Sequence, residues 1–254
     1  MRILTDEQRI AELGRMLAES THAVVFTGAG ISTESGIPDF RSPGGFWTKH
    51  QPIDFSDFLA SEEMRKETWR RKMAIDGSFA AAEPNRGHRA IADLIRVGNV
   101  GSVITQNIDG LHQKSGVPPE KVIELHGNGT YAHCLRCGHR YELAPIFEEF
   151  KVAEEPPVCK LCGGLIKSAT ISFGQPMPEE PMRRAREETL QCDLFLAIGS
   201  SLVVYPAAGF PIMAKRGGAN LVIINRDPTD LDQLADLVLN VEIGPALGTV
   251  AGIE

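Results

Sequence analysis

A chain of 254 residues with 43% hydrophobic and 23% charged side chains has the mixture of an ordinary globular protein, with room for one large domain or one domain carrying an insertion. Its 26 Lys and Arg against 33 Asp and Glu leave a formal charge of -7, which argues against general nucleic-acid binding. No apolar run approaches the roughly 20 residues that span a bilayer, and the opening MRILTDEQRI lacks the apolar centre of a secretory signal, so a cytoplasmic protein with no membrane partner is expected.

Residues 5–20 read as a helix, with Thr5 and Gln8 as a capping box and Ile10, Leu13, Met16 and Leu17 on one face. An apolar run at 23–26 reads as a buried strand, and residues 28–47, GAGISTESGIPDFRSPGGFW, follow it. Gly28 and Gly30 carry no Cβ, so their N–H groups can approach a phosphate closely. The dinucleotide fingerprint G-x-G-x-x-G is nevertheless broken: Thr33 stands at the third glycine position and Gly36 comes three residues late. Taken alone, the pair of glycines fits an ordinary turn equally well. From 38 to 84 aromatic residues (Phe40, Phe46, Trp47, Phe55, Phe58, Trp69, Phe79) mix with many charges. This stretch reads as loops and short amphipathic helices covering a site, or as an insertion that merely packs on the core.

Regular alternation then resumes. Helices are expected at 87–97, 179–190 and 207–216, and strands at 100–105, 122–125, 194–198, 221–224 and, short and last, 237–241. Strands alternating with helices imply a doubly wound parallel sheet of the α/β class. Each polar loop follows a strand: 28–41, Gln106-Asn107-Ile108-Asp109, His126, Gly199-Ser200-Ser201, and Asn225-Arg226-Asp227. In open α/β sheets that edge binds ligands, so these loops together predict one pocket.

Four of the five cysteines form two C-x-x-C pairs, Cys134 with Cys137 and Cys159 with Cys162, separated by 21 residues. Two such pairs supply a tetrahedral set of four thiolates suited to Zn²⁺; with all four positions filled by protein, the metal is structural. His133 and His139 read as surface residues and Cys192 as a packed thiol. A zinc ribbon can also bind nucleic acid, but Arg136, Arg140, Lys151, Lys160 and Lys167 are offset by Glu142, Glu148, Glu149, Glu154 and Glu155, with no aromatic-basic stripe, so no direct nucleic-acid binding is expected.

Together these elements resemble the sirtuin family of NAD-dependent protein-lysine deacylases. The motifs stand in order along the whole chain: GAGISTESGIPDFRSPGGFW, TQNIDGLH, HG at 126–127, the cysteine pairs, FG at 173–174, GSSL at 199–202 and NRD at 225–227. The resemblance implies a Rossmann-like domain (1–45, 85–128 and 175–254) and a smaller domain made of a helical insertion (46–84) and a zinc-binding insertion (129–174). NAD and an acylated lysine of a protein or peptide would bind in the cleft between them. It also gives the broken fingerprint a reason, because sirtuins cleave the nicotinamide–ribose bond of NAD instead of transferring its hydride. The acyl oxygen attacks the ribose carbon, and a histidine then takes a proton from a ribose hydroxyl.

Carried onto this sequence, the resemblance makes His126 the general base, a role an imidazole with a pKa near 6.5 suits. Asn107 would hold the ribose and a water, Asp109 the nicotinamide carboxamide, and Gln106 the ribose. Asp39, Phe40 and Arg41 would lie over the ribose and phosphates, with Phe40 shielding the reacting carbon. Gly28, Ala29, Gly30, Ser200 and Ser201 would meet the phosphates, and Ile31, Glu34, Trp47, Ile108 and Gly199 complete this part of the cofactor site. Asn225, Arg226 and Asp227 would bind the adenosine ribose, with Ala246 near adenine; His112 reads as a structural residue. The substrate backbone would lie as an added strand between Phe173-Gly174-Gln175 and Val204-Tyr205. Here the family's usual apolar pair and Phe-Gly-Glu are replaced by Thr170-Ile171-Ser172-Phe173-Gly174-Gln175.

Sirtuins that favour succinyl or malonyl groups carry Tyr-x-x-Arg in the helical insertion. The nearest match here, Trp69-Arg70-Arg71-Lys72, has no tyrosine, so acetyl or another uncharged acyl group is expected. On the same scaffold the competing activities are mono-ADP-ribosyl transfer and NAD hydrolysis. A non-catalytic NAD sensor is disfavoured by the intact Asn107, Asp109 and His126. Neither substrate protein nor oligomeric state is legible.

Overall fold

A computed structural model describes residues 4–39 and 51–254. In chain order its elements are α1 (Asp6–Glu19), β1 (Ala23–Thr27), a 3-10 segment (Ala29–Ser35), α2 (Phe55–Ala60), α3 (Glu62–Ala81), α4 (Arg86–Arg96), β2 (Val100–Thr105), α5 (Leu111–Lys114), β3 (Val122–Glu124) and β4 (Gly127–Cys134). There follow β5 (Arg140–Glu142), α6 (Leu143–Ala153), β6 (Ile166–Thr170), α7 (Glu179–Gln191), β7 (Leu194–Ile198), α8 (Gly209–Arg216), β8 (Asn220–Ile224), β9 (Leu237–Leu239) and α9 (Ile243–Ala251). Among the described residues no helix is long and apolar enough to cross a membrane.

The large sheet has six strands in the order β3-β2-β1-β7-β8-β9, all paired in parallel. Its central strands β1 and β7 are buried at every position, the mark of a sheet covered on both faces. Alternate side chains separate the two cores. Val25, Leu196 and Val222 pack with Leu13 and Leu17 of α1 and Ile91 of α4, while Phe26, Phe195 and Ile223 pack with Ala185 of α7 and Phe210 of α8. The expected doubly wound α/β architecture is therefore present. The expected capping box is also formed, with Gln8 N–H donating to Thr5 Oγ1 at 3.3 Å and Thr5 N–H to Gln8 Oε1 at 3.0 Å.

The second sheet is antiparallel, β5-β4-β6. Its small core combines Ala132, Cys134, Ile146, Phe147, Phe150 and Cys159 of the ribbon with Trp69 of α3, which is 1% exposed. Trp69 meets Phe147 edge-on with ring centroids 6.3 Å apart. One indole thus joins α3 to the core of the ribbon.

The segment around α3 departs from the expectation of short helices: α3 runs for 20 residues, N-capped by the Ser61 hydroxyl. Many of the charges that obscure its pattern form i,i+4 pairs, Glu62–Lys66, Glu67–Arg71 and Lys72–Asp76, which support a helix without any apolar stripe.

Candidate active site

The strand order reverses between β1 and β7, and the loops leaving these two strands interlock. Gly28 N–H donates to Ile198 O at 3.0 Å and Gly30 N–H to Gly199 O at 2.8 Å. A Cβ at Gly28 would stand 2.7 Å from Gly199 O, and one at Gly30 2.8 Å from Gly199 Cα. Both contacts are with backbone, so neither position tolerates a side chain. Thr33, in place of the third glycine, turns its hydroxyl onto Gly30 O at 2.9 Å, and the chain continues as a 3-10 segment closed by Gly36 at φ 81°. The glycines hold bare backbone at the switch point of the sheet, a cradle for phosphate.

Beneath this loop lies a buried polar network. Ser32 Oγ donates to Asp109 Oδ2 at 2.7 Å and accepts from Asn107 Nδ2 at 3.1 Å; the same amide donates to Gly28 O at 3.1 Å. Leu111 N–H donates to Asp109 Oδ1 at 2.9 Å. Burial raises the Asp109 carboxyl above its usual range, against the opposing hydrogen bonds from Leu111 and Ser32. His88, 3.5 Å from Ser32 Oγ through Nε2, packs tilted at 59° against His112 with ring centroids 5.1 Å apart. His112 Nε2 lies 2.9 Å from the Thr27 hydroxyl, which hydrogen-bonds to Thr105 at 2.8 Å. Burial pushes His88 down to about 4 and His112 well below its ordinary value, so both rings are neutral. His112 is thus buried under the first loop, with its ring held by Thr27.

His126 occupies the joint between the two sheets, after Leu125 and directly before β4. Its Nδ1 is 3.0 Å from Gln106 O. A carbonyl oxygen only accepts, so Nδ1 carries a proton, and in the neutral ring the lone pair is on Nε2, the tautomer a base requires. The His126 carbonyl accepts from Ile171 N–H at 2.8 Å.

One cleft of about 580 Å³ collects most of the expected residues. Gly28, Ala29, Gly30, Glu34 and Asp39 line it from the first loop, and Gln106, Asn107, Ile108 and His126 from the next two. Gly199, Ser200 and Ser201 follow, then Asn225, Arg226 and Asp227; at the other end stand Phe173, Gly174, Gln175, Val204 and Tyr205. Gln106 Nε2 donates to Ser200 Oγ at 2.9 Å, joining the loops after β2 and β7. Glu34 also accepts from Gly244 N–H at 2.8 Å, tying the first loop to the start of α9. Thr68, Lys72, Ile75 and Phe79 of α3 complete the wall.

Three expected residues are not on this wall. Ile31 is 1% exposed and belongs to the core under the sheet, and Ala246, 1% exposed, lies within α9. Asp109 faces a second cavity, of about 540 Å³, behind the loop. Phe40, Arg41 and Trp47 lie outside the described residues. Ser32 and His88 were not foreseen. His88 carried a signal, a polar residue on the stripe Ile91, Leu94, Ile95 of a helix that packs on a core.

The four expected metal ligands converge. The sulfurs of Cys134, Cys137, Cys159 and Cys162 all lie within 4.8 Å of one another. Separations of 3.5 Å (Cys134–Cys162) and 3.7 Å (Cys137–Cys159) match the edge of a tetrahedron with Zn–S bonds of about 2.3 Å and far exceed a disulfide of about 2.05 Å. Gly138 and Gly163 turn the knuckles at φ 72° and 69°. Around the thiolates, Tyr141 OH donates to Cys159 Sγ at 3.1 Å and Arg136 N–H to Cys134 Sγ at 3.4 Å. The donor set fits structural zinc. Cys192, 9% exposed, is a packed thiol that burial raises to about 12.

An α/β fold with bare glycine backbone at its switch point, a histidine in the same cleft and a four-thiolate ribbon beside it is the frame of a nucleotide-binding enzyme with a structural zinc module. The pattern of the Sir2 family matches residues 28–206. The chain is 58% identical to NAD-dependent protein deacetylase 1 of Bradyrhizobium diazoefficiens over 99% of this chain and 100% of that one. It is 42% identical to NAD-dependent protein deacylase 2 of Archaeoglobus fulgidus over 95% and 94%. Among solved structures, a Sir2–p53 peptide–NAD+ complex superposes with a TM-score of 0.87 at 36% identity, over 96% and 97% of the two chains. A Sir2 bound to a propionylated peptide gives 0.84 at 36% identity, over 96% and 99%. The chain belongs to the Sir2 family, the sirtuins.

Proposed function

We infer that this protein is an NAD-dependent protein-lysine deacylase that releases nicotinamide, acyl-ADP-ribose and free lysine. The observation that carries the reading is the convergence of the glycine cradle, His126 with its Nδ1–H tautomer and the loops at Phe173 and Val204 on one cleft. NAD, when bound, supplies the ribose carbon that receives the acyl oxygen and nicotinamide as its leaving group.

The chain's own residues then divide the work. Gly28, Ala29, Gly30, Ser200 and Ser201 bind the phosphates, with Gly199 holding the cradle shape. Asn107, oriented by Gly28 O and Ser32, meets the ribose and a water, and Gln106 the ribose. Asp109 accepts from the carboxamide, its buried carboxylate held by Ser32 and Leu111. Asp39, Phe40 and Arg41 serve the ribose and phosphates and Trp47 the cofactor site, while Ile31, Glu34 and Ile108 support the pocket. Asn225, Arg226, Asp227 and Ala246 take the adenosine end. His126 removes a ribose hydroxyl proton through Nε2, and the acyl-peptide backbone adds as a strand between Phe173-Gly174-Gln175 and Val204-Tyr205. Zinc at the four cysteines holds the ribbon.

The chain divides, on this reading, into a Rossmann-like domain at 1–45, 85–128 and 175–254, a helical insertion at 46–84 and a zinc insertion at 129–174. We propose a cytoplasmic protein without nucleic-acid or membrane partners, acting on acetyl-lysine or another uncharged acyl-lysine; the wall helix α3 offers no Tyr-x-x-Arg pair. Mass analysis of the products formed from NAD and an acetyl-lysine peptide tests the reading. Equal amounts of free lysine and acyl-ADP-ribose are expected, and ADP-ribosylated protein or ADP-ribose without deacylation would contradict it. In a parallel comparison of acetyl, succinyl and long-chain peptides, succinyl turning over fastest would overturn the acyl preference.

A further inference from the structure

One buried cation has no part in the chemistry above. Lys167 stands in β6 at 2% exposure, and its Nζ donates to the carbonyl of Thr170, three residues on. Among the described residues it forms no ion pair with a carboxylate, and burial lowers its ammonium to about 8. A methionine or leucine would fill the same space without the desolvation cost of a charge. The amine is therefore retained at a stability cost, and its one hydrogen bond shows where the return lies.

Thr170 is the last residue of β6 and pairs with Gly127; the next residue, Ile171, donates its N–H to His126 O at 2.8 Å. Gly127 has φ 72°, and a Cβ there would run into Ala169 O. The main chain of the histidine is thus seated directly on the end of β6. The same end continues as residues 170–173, which line the cleft. The cofactor cradle is built from other elements, the loops after β1, β2 and β7.

We propose that Lys167 is a positioning residue: by holding the Thr170 carbonyl it fixes the end of β6 on which the His126 main chain rests, and so sets the aim of the base together with the Gln106 carbonyl that holds its ring. This rests on the reading of His126 as the general base. In that reading nicotinamide leaves before His126 takes its proton, so exchange of labelled nicotinamide into NAD reports the cofactor side, and release of free lysine reports both sides.

The test compares the two rates at saturating acetyl-lysine peptide and NAD, with zinc content and thermal midpoint measured on each protein. In Lys167→Met, deacylation should fall by roughly ten- to a hundredfold, as displacement of a catalytic group by about 1 Å does, while exchange and the KM for NAD stay within about twofold. Lys167→Arg, which restores a charged donor, should recover most of the loss. Deacylation at the wild-type rate in Lys167→Met, or exchange falling in the same proportion as deacylation, would overturn the proposal. If Lys167→Met does not fold with zinc, Lys167→Leu, which likewise removes the donor to Thr170, carries the same comparison. A wild-type protein without NAD-dependent deacylation would defeat the functional reading itself; an active wild type beside an unchanged variant defeats this inference alone.

Discussion

The six-stranded sheet has helices on both faces, and five-residue strands such as β1 and β7 are buried at every position. The three-stranded sheet has an edge strand, β5, with Arg140 and Glu142 exposed, and a core that borrows Trp69 from α3 and counts two cysteines among its members. In the first, stability is spread over two apolar layers, and function is confined to the loops at one edge. In the second, little apolar surface is available and four thiolates concentrate the stability in one metal. The cleft lies where these two solutions meet, and His126 is the residue at the joint. A rigid edge can hold a cofactor while a metal-held body presents the opposite wall.

Removing one thiolate should break the comparison hardest. Structural zinc contributes on the order of 10–16 kcal/mol to small metal-held folds. Cys134→Ser should therefore lose metal, collapse the packing of Trp69 on Phe147 and leave the parallel sheet folded, read as lost zinc and changed near-ultraviolet signal with most helical signal retained. Unchanged zinc content and unchanged melting would contradict the assignment. The converse change in the large sheet, Phe195→Ala, should lower global stability by about 3–5 kcal/mol in denaturant titration without altering zinc stoichiometry. A separate early transition of the ribbon in that variant would mean the two bodies share stability more than their cores suggest.

Acid should act on the buried histidine pair beneath the first loop. His88 is neutral when folded, with its pKa pushed down to about 4, and takes a proton near 6.5 when unfolded. The unfolded state binds more protons between those values, so stability falls as pH drops from about 6.5 to about 4, by on the order of 3 kcal/mol, with His112 acting in the same direction. Denaturant midpoints across that range measure it, and a flat profile there would contradict the buried pair. The smallest effect expected is that of Ser32→Ala. It should cost about 1–3 kcal/mol by leaving Asp109 and Asn107 short of a partner, and should raise the KM for NAD. An unaltered KM would separate the network from the cofactor.

Much of this site was legible because its residues obey local rules. Glycines that must expose backbone, paired cysteines at knuckle spacing and polar loops after apolar runs all announce themselves within a few residues. Ser32 and His88 did not, because what makes them matter is a meeting across 56 residues of chain. Helix α3 was read as shorter pieces because its register is written in i,i+4 charge pairs and one buried indole, with no continuous apolar stripe. Lys167 looked like one more surface charge of a balanced ribbon; only its 2% exposure and the hydrogen bond to Thr170 reveal otherwise. Ala246 and Ile31 are buried behind the cleft wall, and a motif position says which loop or helix a residue belongs to but not whether its side chain reaches the cleft.

The joint between the two sheets carries the central claim, that the cofactor edge and the base are separable parts of one reaction. His126→Ala tests it most directly, with nicotinamide exchange and lysine release measured on the same preparation. Loss of a general base should reduce deacylation by roughly 10²–10⁴-fold while exchange persists and zinc content is unchanged. Full deacylation by His126→Ala would contradict the account.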